Sequence, residues 1–276
     1  DVASKTQFVS GIFLSLAQAR STVPLLQNVY QADAAHTNFG KYTLYSCYGI
    51  DANSNTFPVA VALIFGNEDK EGWVRFWEFV KKIHRCVNHP ITTVITDQQK
   101  GSIEAMKEII PQAVNFFCSY HRKENIRKVV KGGSGEYSCS WFYNKLLGLK
   151  LPHSIETARS TDFYHMETRA IAYLNNVPDH QQYPASRCAL TEGVCMFMRT
   201  ASSAVKSMNR ANASVRERTA VDPINACILL LNLEGGRFGK HRDLAHNHTE
   251  VLTPHGMKLI TQAFKDVNPR EFEILT

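Results

Sequence analysis

Hydrophobic and polar positions alternate over the first quarter of the chain in a pattern that predicts three consecutive β-strands. The apolar and β-branched runs cover Val29 to Asp33, Tyr42 to Asp51 and Thr56 to Gly66. Turn-forming residues separate these runs, in the segments Asn38-Phe-Gly-Lys and Asp51-Ala-Asn-Ser-Asn. Short connections of this kind favour an antiparallel meander of three strands.

Helices are predicted before and after this meander in the sequence. The stretch from Phe8 to Arg20 is amphipathic, so residues 1–28 are predicted to form a helical lead-in. Between Asp69 and Ile83 the large apolar residues recur three and four positions apart, which predicts a helix packed on the sheet. These residues are Trp73, Phe76, Trp77 and Val80.

Two further strands alternate with helices after that. A β-branched run from Ile91 to Thr96 leads into Asp97, and a helical stretch follows as far as Ile110. A fifth strand is predicted from Ala113 to Phe117, with another helix from about Ser119. The order βββαβαβα predicts an α/β fold over residues 29–131, with a mixed five-stranded sheet flanked by helices.

The rest of the chain is predicted to be helical. Gly132-Gly-Ser-Gly breaks the alternation, and residues 132–187 are interpreted as an all-helical insertion. Residues 188–276 then form the C-terminal helical part of the core. Its helices are predicted near Thr191 to Met208, Pro223 to Leu233 and Pro254 to Val267.

The composition indicates a globular protein, and the net charge modestly favours a polyanionic partner. The 276 residues are 44% hydrophobic and carry a net charge of +6, and the chain contains no apolar run of the length needed to span a bilayer. The basic tracts Arg122 to Lys131 and Arg199 to Arg218 fit two interpretations, a DNA channel or solvated helix faces. The seven cysteines are odd in number and lie mostly in apolar runs, which favours buried thiols over disulfides.

Two aspartates carry the candidate chemistry. Asp33 ends the first predicted strand of the sheet and Asp97 follows the fourth, so parallel neighbouring strands would bring both carboxylates to one place. Such a pair is costly unless cations lie between the carboxylates, and hard oxygen ligands suit Mg²⁺ or Mn²⁺. The alternative is that each aspartate starts a turn or caps a helix, which applies above all to Asp97.

The segments around these aspartates resemble the catalytic blocks of Mutator-like (MULE) transposases. The first block reads Tyr30-Gln-Ala-Asp33-Ala-Ala-His-Thr-Asn-Phe-Gly-Lys-Tyr, followed by Phe57-Pro-Val-Ala-Val-Ala. The second reads Val94-Ile-Thr-Asp97-Gln-Gln-Lys-Gly, followed by Phe117-Cys118-Ser-Tyr-His121, which is a C-x2-H motif. The resemblance is densest from Val29 to Ile126.

The resemblance implies a ribonuclease-H-like fold with a D-D-E triad whose third acid follows the helical insertion. Glu192 is the candidate for that acid, and Glu167 and Glu250 are the alternatives. Members of the family often carry Ser and Asn after this glutamate, whereas Ala189-Leu-Thr-Glu192-Gly-Val lacks those residues. Glu192 is equally compatible with a surface position at a helix start.

The resemblance also implies a function, cut-and-paste DNA transposition. Asp33, Asp97 and Glu192 would hold two Mg²⁺ or Mn²⁺ ions that promote phosphodiester cleavage and strand transfer. The implied partners are transposon terminal repeats and target DNA, bound by a homodimer or larger assembly in the nucleus and not at a membrane. The alternative is a domesticated, transposase-derived DNA-binding regulator without catalysis, and a junction nuclease or ribonuclease of the same fold ranks last.

Cys118 and His121 have two interpretations each. The resemblance implies that His121 contacts a phosphate or assists the cleavage step. The C-x2-H spacing also supplies half of a structural zinc site, which His241 and His246 would complete. The alternative is that Cys118 is a small apolar residue at the end of a buried strand and that the later histidines are exposed.

Overall fold

The computed structural model describes residues 9–129, 173, 175–182, 184–196, 201–219, 221–250 and 252–266. Most of the predicted helical insertion, residues 132–187, lies outside the described residues, and so does Glu167. Within them, one mixed sheet of six strands has helices on both faces. The predicted α/β class is confirmed, with six strands instead of five.

The strand order brings four strand ends to one end of the sheet. The strands are β1 (Gly11–Leu14), β2 (Val29–His36), β3 (Tyr42–Ile50), β4 (Thr56–Phe65), β5 (Thr93–Thr96) and β6 (Val114–Phe117), and they lie in the order β1-β4-β3-β2-β5-β6. β2, β3 and β4 form the predicted antiparallel meander, while β5 runs parallel to β2 and β6 parallel to β5. This is the ribonuclease-H-like arrangement that the resemblance implied. β2, β4, β5 and β6 all terminate at what we call the carboxyl end of the sheet.

The sixth strand, β1, replaces part of the helix that was predicted from Phe8 to Arg20. Gly11–Leu14 pairs antiparallel with β4, and within the described residues 9–20 helical structure begins at Ala19, in α1 (Ala19–Thr22). Ile12 and Leu14 pack on one face of the sheet and Phe13 on the other, which is the two-residue period of a strand. The exposed side of β4 needs a hydrogen-bonding partner, and a short apolar segment satisfies it.

Helices α2 (Lys70–Ile83) and α3 (Lys100–Ile109) cover one face of the sheet. Asp69 caps α2 by accepting a hydrogen bond from the Gly72 amide at 2.8 Å. The four apolar residues predicted to face the sheet are all buried in this layer, namely Trp73, Phe76, Trp77 and Val80. The helix prediction for this segment is confirmed.

The opposite face is covered by the C-terminal helices. The helices that follow β6 are α4 (Ser119–Val129), α5 (Pro184–Leu190), α6 (Ser203–Ala211), α7 (Ala213–Arg216), α8 (Pro223–His246) and α9 (Pro254–Asp266). Val205 of α6, Val215 of α7 and Leu230 of α8 pack against Leu44 and Leu63. None of the helices among the described residues is long and apolar enough to cross a membrane.

One C-terminal helix differs from its prediction. A single helix from Thr191 to Met208 was expected, but α5 ends at Leu190 and residues 191–193 form a turn. Gly193 has a φ of +78°, in the left-handed region that glycine adopts readily and that commonly ends helices. Helix α6 begins ten residues after that glycine, at Ser203.

Candidate functional site

Asp33 lies at the point where strand β5 stops. Its strand, β2, pairs with β5 only as far as Gln31, and continues to His36 through its pairing with β3. Asp33 therefore lies inside its strand, whereas the sequence had predicted that it ends the strand. Side chains alternate along a strand, so Asp33 projects from the same face as Gln31. Its side chain is half-buried.

Asp97 is brought beside Asp33 by the parallel pairing of β5 with β2. Gln31 is in register with Ile95, and each aspartate follows its paired residue by two positions. Adjacent strands lie about 4.8 Å apart, so the two aspartates start from neighbouring points at the carboxyl end of the sheet. Asp97 Oδ1 also accepts a hydrogen bond from the Gln99 amide at 3.1 Å, which is the turn-forming contact weighed as an alternative. The two functions of Asp97 are compatible.

Helix α6 lies across β2 and is fixed to it by polar contacts. Gln31, which is fully buried, accepts hydrogen bonds at its Oε1 from the Ala204 amide at 3.0 Å and the Val205 amide at 3.4 Å. One helical turn later, Asn209 donates from Nδ2 to Asp33 Oδ2 at 3.4 Å. These contacts set the position of every side chain on the sheet-facing side of α6.

Lys206 belongs to this sheet-facing side, between the two contacts. It is three residues before Asn209, and its Nζ lies 3.9 Å from the centre of the Tyr120 ring. The ammonium group is close enough for its charge to act on both Asp33 and His121. A lysine therefore lies beside the aspartate pair.

The pKa of Asp33 depends on its burial and on the charges around it. Burial raises the pKa of Asp33 to about 6; the positive charges of His121 and Lys206 oppose that rise, whereas Asp97 and Glu68 add to it. Most of the Asp33 carboxyl is thus ionised at neutral pH. Its negative charge is retained because nearby cations stabilise it.

His121 and Cys118 form a second polar pair at the same end of the sheet. Cys118 directly follows β6, is fully buried, and its Sγ accepts hydrogen bonds from the Ser202 amide and hydroxyl, both at 3.2 Å. Burial tends to raise the pKa of Cys118, but hydrogen bonds from His121 and Ser202 lower it to about 7. The pKa of His121 is raised, because the Cys118 thiol and the Asp33 charge outweigh its burial.

Glu68 is an acidic residue of this site that the sequence analysis did not single out. It lies between the end of β4 and the start of α2, and its Oε1 accepts a hydrogen bond from Trp73 Nε1 at 3.0 Å. Burial raises the pKa of Glu68, the Trp73 bond lowers it, and the charge of Asp97 raises it further. A signal was present in the sequence, because a residue just after β4 must lie at the carboxyl end of the sheet.

Glu192 is not brought to this end of the sheet. Its neighbour Thr191 accepts a hydrogen bond at 3.4 Å from Arg187, and the same guanidinium binds the carbonyl of Pro90 at 2.8 Å. Pro90 precedes β5, whereas Asp97 follows it, so the turn that carries Glu192 starts at the opposite end of that strand. The Glu192 side chain is exposed, and so is that of Glu250. The predicted helix start at Thr191 is wrong, and Glu192 lies in a turn.

The sequence also contained a signal for Lys206. The family pattern places Ser and Asn after the third acid, and here Ser207 and Asn209 follow Lys206. Sequence reasoning had assigned Lys206 only to a general basic tract.

The two halves of the proposed zinc site are separated in the structure. His241 binds Asp51 Oδ2 through Nδ1 at 3.1 Å and the Thr56 carbonyl through Nε2 at 2.8 Å. Asp51 follows β3 and therefore lies at the amino end of β2, away from Cys118. His246 is exposed on α8. Cys118 instead packs with Val29, Ile95 and Phe116, in line with the alternative of a buried thiol.

The described residues do not fit a two-ion metal site. Asp33 and Asp97 offer oxygen donors of the type that Mg²⁺ and Mn²⁺ prefer. However, in the part of the chain that the structure describes, no three His, Cys, Asp or Glu side chains are arranged to hold a metal ion. The charged side chain that α6 brings near these two aspartates is that of Lys206, which is a cation.

Comparisons with known proteins give a match to a family model in the first part of the chain. No curated protein sequence matches the chain. Among solved structures, a chain of the cryo-EM structure of the simian T-cell lymphotropic virus intasome in complex with the PP2A regulatory subunit B56 gamma is similar over 60% of this chain, at 13% identity and a TM-score of 0.22. The similarity spans 51% of that chain, about half its length. The family model of the MULE transposase domain matches residues 29–125. That match includes Asp33, Asp97 and His121.

Proposed function

We propose that this chain is the DNA-binding core of a transposase-type protein, and that a DNA backbone lies across the carboxyl end of the sheet. The observation that supports this most directly is the course of the basic segment α6–α7. It follows β2 from Gln31, where α6 begins, to His36, whose carbonyl accepts a hydrogen bond from Arg216 at 3.1 Å. A row of cationic side chains along one end of a sheet suits a phosphate backbone.

Two basic side chains of this segment have no acidic partner among the described residues. Residues 203–218, which include α6 and α7, contain the basic residues Lys206, Arg210, Arg216 and Arg218 and one acid, Glu217. Arg216 pairs with Glu217 at 3.3 Å and the charge of Lys206 acts on Asp33, which leaves Arg210 and Arg218. Arg210 and Arg218 are exposed and so are accessible to a ligand.

Charge reversal of the exposed arginines tests DNA binding. Arg210→Glu/Arg218→Glu should weaken the binding of a mixed-sequence duplex by about tenfold or more, and should reduce the slope of log K against log salt by about 0.9 for each lost phosphate contact. Fluorescence anisotropy at several salt concentrations measures both quantities.

The matched control is a double charge reversal on the other face of the sheet. Lys82 of α2 and Lys107 of α3 are exposed, so Lys82→Glu/Lys107→Glu changes the net charge equally. Equal loss of affinity in both double variants would show that only net charge matters, and would contradict a binding surface along α6–α7.

Metal-dependent cleavage and strand transfer is the second candidate function, favoured by the register of Asp33 with Asp97. The third acid would then come from outside the described residues or from Glu192 after a rearrangement. Nicking of supercoiled DNA in Mg²⁺ or Mn²⁺ that disappears in Asp97→Asn would support this candidate. Absence of nicking by a wild-type protein that binds DNA would leave the first candidate standing. In either case we propose terminal-repeat and target DNA as partners, a homodimer or larger assembly on DNA, and a nuclear location.

A further inference from the structure

We propose that Lys206 is a built-in counter-cation of the Asp33–Asp97 pair and lies close enough to oppose the binding of a divalent ion between the two carboxylates. The inference goes beyond the proposed function, because it concerns what neutralises the aspartates before any DNA is bound. It requires that the ammonium group reach the pair, be held there, and oppose a bound metal ion.

The path of the Lys206 side chain crosses the end of β5. The side chain starts on α6, which is bonded to β2 through Gln31 and Asp33. It ends over the ring of Tyr120, which lies three residues after β6. β5 lies between β2 and β6 in the sheet, and Asp97 directly follows β5. The ammonium group therefore lies above the strand ends that carry the two aspartates.

One contact holds the ammonium group in this place, and the hydrogen bonds between α6 and β2 hold the helix that carries it. Its Nζ is 3.9 Å from the Tyr120 ring centre, a distance at which the face of an aromatic ring attracts a cation. At its base, the backbone of α6 is fixed by the Gln31 contacts before Lys206 and by the Asn209 contact after it. A lysine held at both ends stays near the aspartates.

The charges explain why such a cation is needed and why it opposes a metal ion. Two neighbouring carboxylates with limited access to water repel each other unless a positive charge lies close by. His121 supplies such a charge to Asp33 when it is protonated, and Lys206 supplies a further, permanent one. A divalent ion bound between the same carboxylates would be repelled by the ammonium group, so the lysine weakens metal binding there.

Glu68 does not supply the missing ligand in the described arrangement. Its carboxylate is engaged by the Trp73 indole at 3.0 Å, and it belongs to no group of three side chains arranged for a metal ion within the described ranges. A carboxylate at position 206 would differ, because it would start from the sheet-facing side of α6 beside Asp33. Lys206→Glu should therefore create a three-carboxylate site.

The experiment measures Mn²⁺ binding to the folded protein without DNA, from the loss of the free Mn²⁺ signal in electron paramagnetic resonance. We expect Lys206→Glu to bind Mn²⁺ at least about tenfold more tightly than the wild-type chain, and Asp33→Asn in the same protein to remove the gain. Lys82→Glu is the control, since it makes the same charge reversal on an exposed lysine of α2. Thermal unfolding should show the same order, with Mn²⁺ raising the Tm of Lys206→Glu more than that of the wild-type chain or of Lys82→Glu.

Two outcomes would overturn the inference. One is a wild-type chain that binds Mn²⁺ as tightly as Lys206→Glu, and the other is a gain in Lys206→Glu no larger than in Lys82→Glu. Lys206→Met guards against misfolding of the glutamate variant, because it removes the ammonium group without adding a charge. It should gain Mn²⁺ affinity by a smaller factor, and unchanged affinity would also count against the proposal. The DNA-binding test is independent of each result.

Discussion

Asn209 donates a hydrogen bond from its side-chain amide to the Asp33 carboxylate, with 3.4 Å between Nδ2 and Oδ2. The same amide accepts a hydrogen bond at Oδ1 from the hydroxyl of Ser46 on β3, at 2.8 Å. One side chain of α6 thus links two strands of the sheet. The candidate site and the packing of the C-terminal helices on the sheet therefore depend on each other.

Asn209→Ala should destabilise the fold. It removes both contacts and leaves the fully buried Ser46 hydroxyl without its acceptor, so we expect a loss of about 1–3 kcal/mol in the free energy of unfolding. Urea denaturation measures the loss. Asn232→Ala, at an exposed position of α8, is the control. Equal midpoints for the two variants would mean that the Asn209 contacts add no stability.

Gln31→Met should loosen helix α6 without changing the volume of the buried side chain by much. The change removes the oxygen that accepts from the Ala204 and Val205 amides, and loss of a helix cap costs about 0.5–2 kcal/mol. Hydrogen exchange read by mass spectrometry should show faster exchange in the first turn of α6. Gln27→Met, at the amino end of β2, should leave that turn unchanged. Unaltered exchange in Gln31→Met would show that the cap does not fix α6.

Periodic segments were predictable from the sequence because one physical cause dominates each of them. The meander from β2 to β4 follows from alternating apolar residues with turn residues between them, and α2 follows from four large apolar residues on one face. The pairing of Asp33 with Asp97 followed from the strand order. These features are set within a few neighbouring residues or by a repeated pattern.

Features that depend on distant partners were missed. The segment Gly11–Leu14 is a strand only because β4 offers it a pairing edge, and its four residues are too few to show a period. Lys206 belongs to the site only because α6 packs on β2, a contact across more than 170 positions of sequence. The turn at Gly193 removed Glu192 from the helix start at which it had been placed.

Tyr48→Phe should weaken a buried polar network behind the site. The Tyr48 hydroxyl donates to Glu234 Oε1 at 2.8 Å, and Arg237 and Asn212 bind the same carboxylate oxygen. Hydrogen bonds to charged groups contribute about 1.5–3 kcal/mol, so a loss of that size in the free energy of unfolding is expected. The measurement is chemical denaturation monitored by tryptophan fluorescence.

Tyr45→Phe is the matched control for that change. Tyr45 is equally buried, but its hydroxyl donates to an uncharged carbonyl, that of Asn67, at 3.5 Å. Its loss should cost no more than about 1 kcal/mol. If both variants lost the same stability, the Glu234 network would have no special contribution.

The contact between His241 and Asp51 should make stability depend on pH in a defined direction. Both partners of the His241 ring only accept hydrogen bonds, since they are the Asp51 carboxylate and the Thr56 carbonyl. Both ring nitrogens can donate only when the imidazole is protonated. The bond to Asp51 accordingly raises the pKa of His241 above its ordinary value of 6.5, and the Thr56 bond adds to this against the effect of burial.

The sign of the effect follows from the raised pKa of His241. The stabilisation is fully present below about pH 6.5 and is lost as the pH rises through the higher pKa of the folded state. Asp51 acts at the acid side: burial raises its pKa, but hydrogen bonds from His241 and Asn55 lower it below 3.8 overall. Its contribution is present above that value and is lost as the pH falls through the lowered pKa. The pair therefore stabilises the fold most between about pH 4 and 6.5.

His241→Gln isolates this contribution. The difference in unfolding free energy between the wild-type chain and His241→Gln should be largest between about pH 4 and 6.5, and should shrink as the pH rises above 6.5 through the raised pKa of His241. Urea denaturation across that range measures the difference, and His246→Gln, at an exposed position of the same helix, should show no such trend. A difference for His241→Gln that stays constant with pH would mean that the ring is neutral in the folded protein, and that the Asp51 contact is an ordinary hydrogen bond.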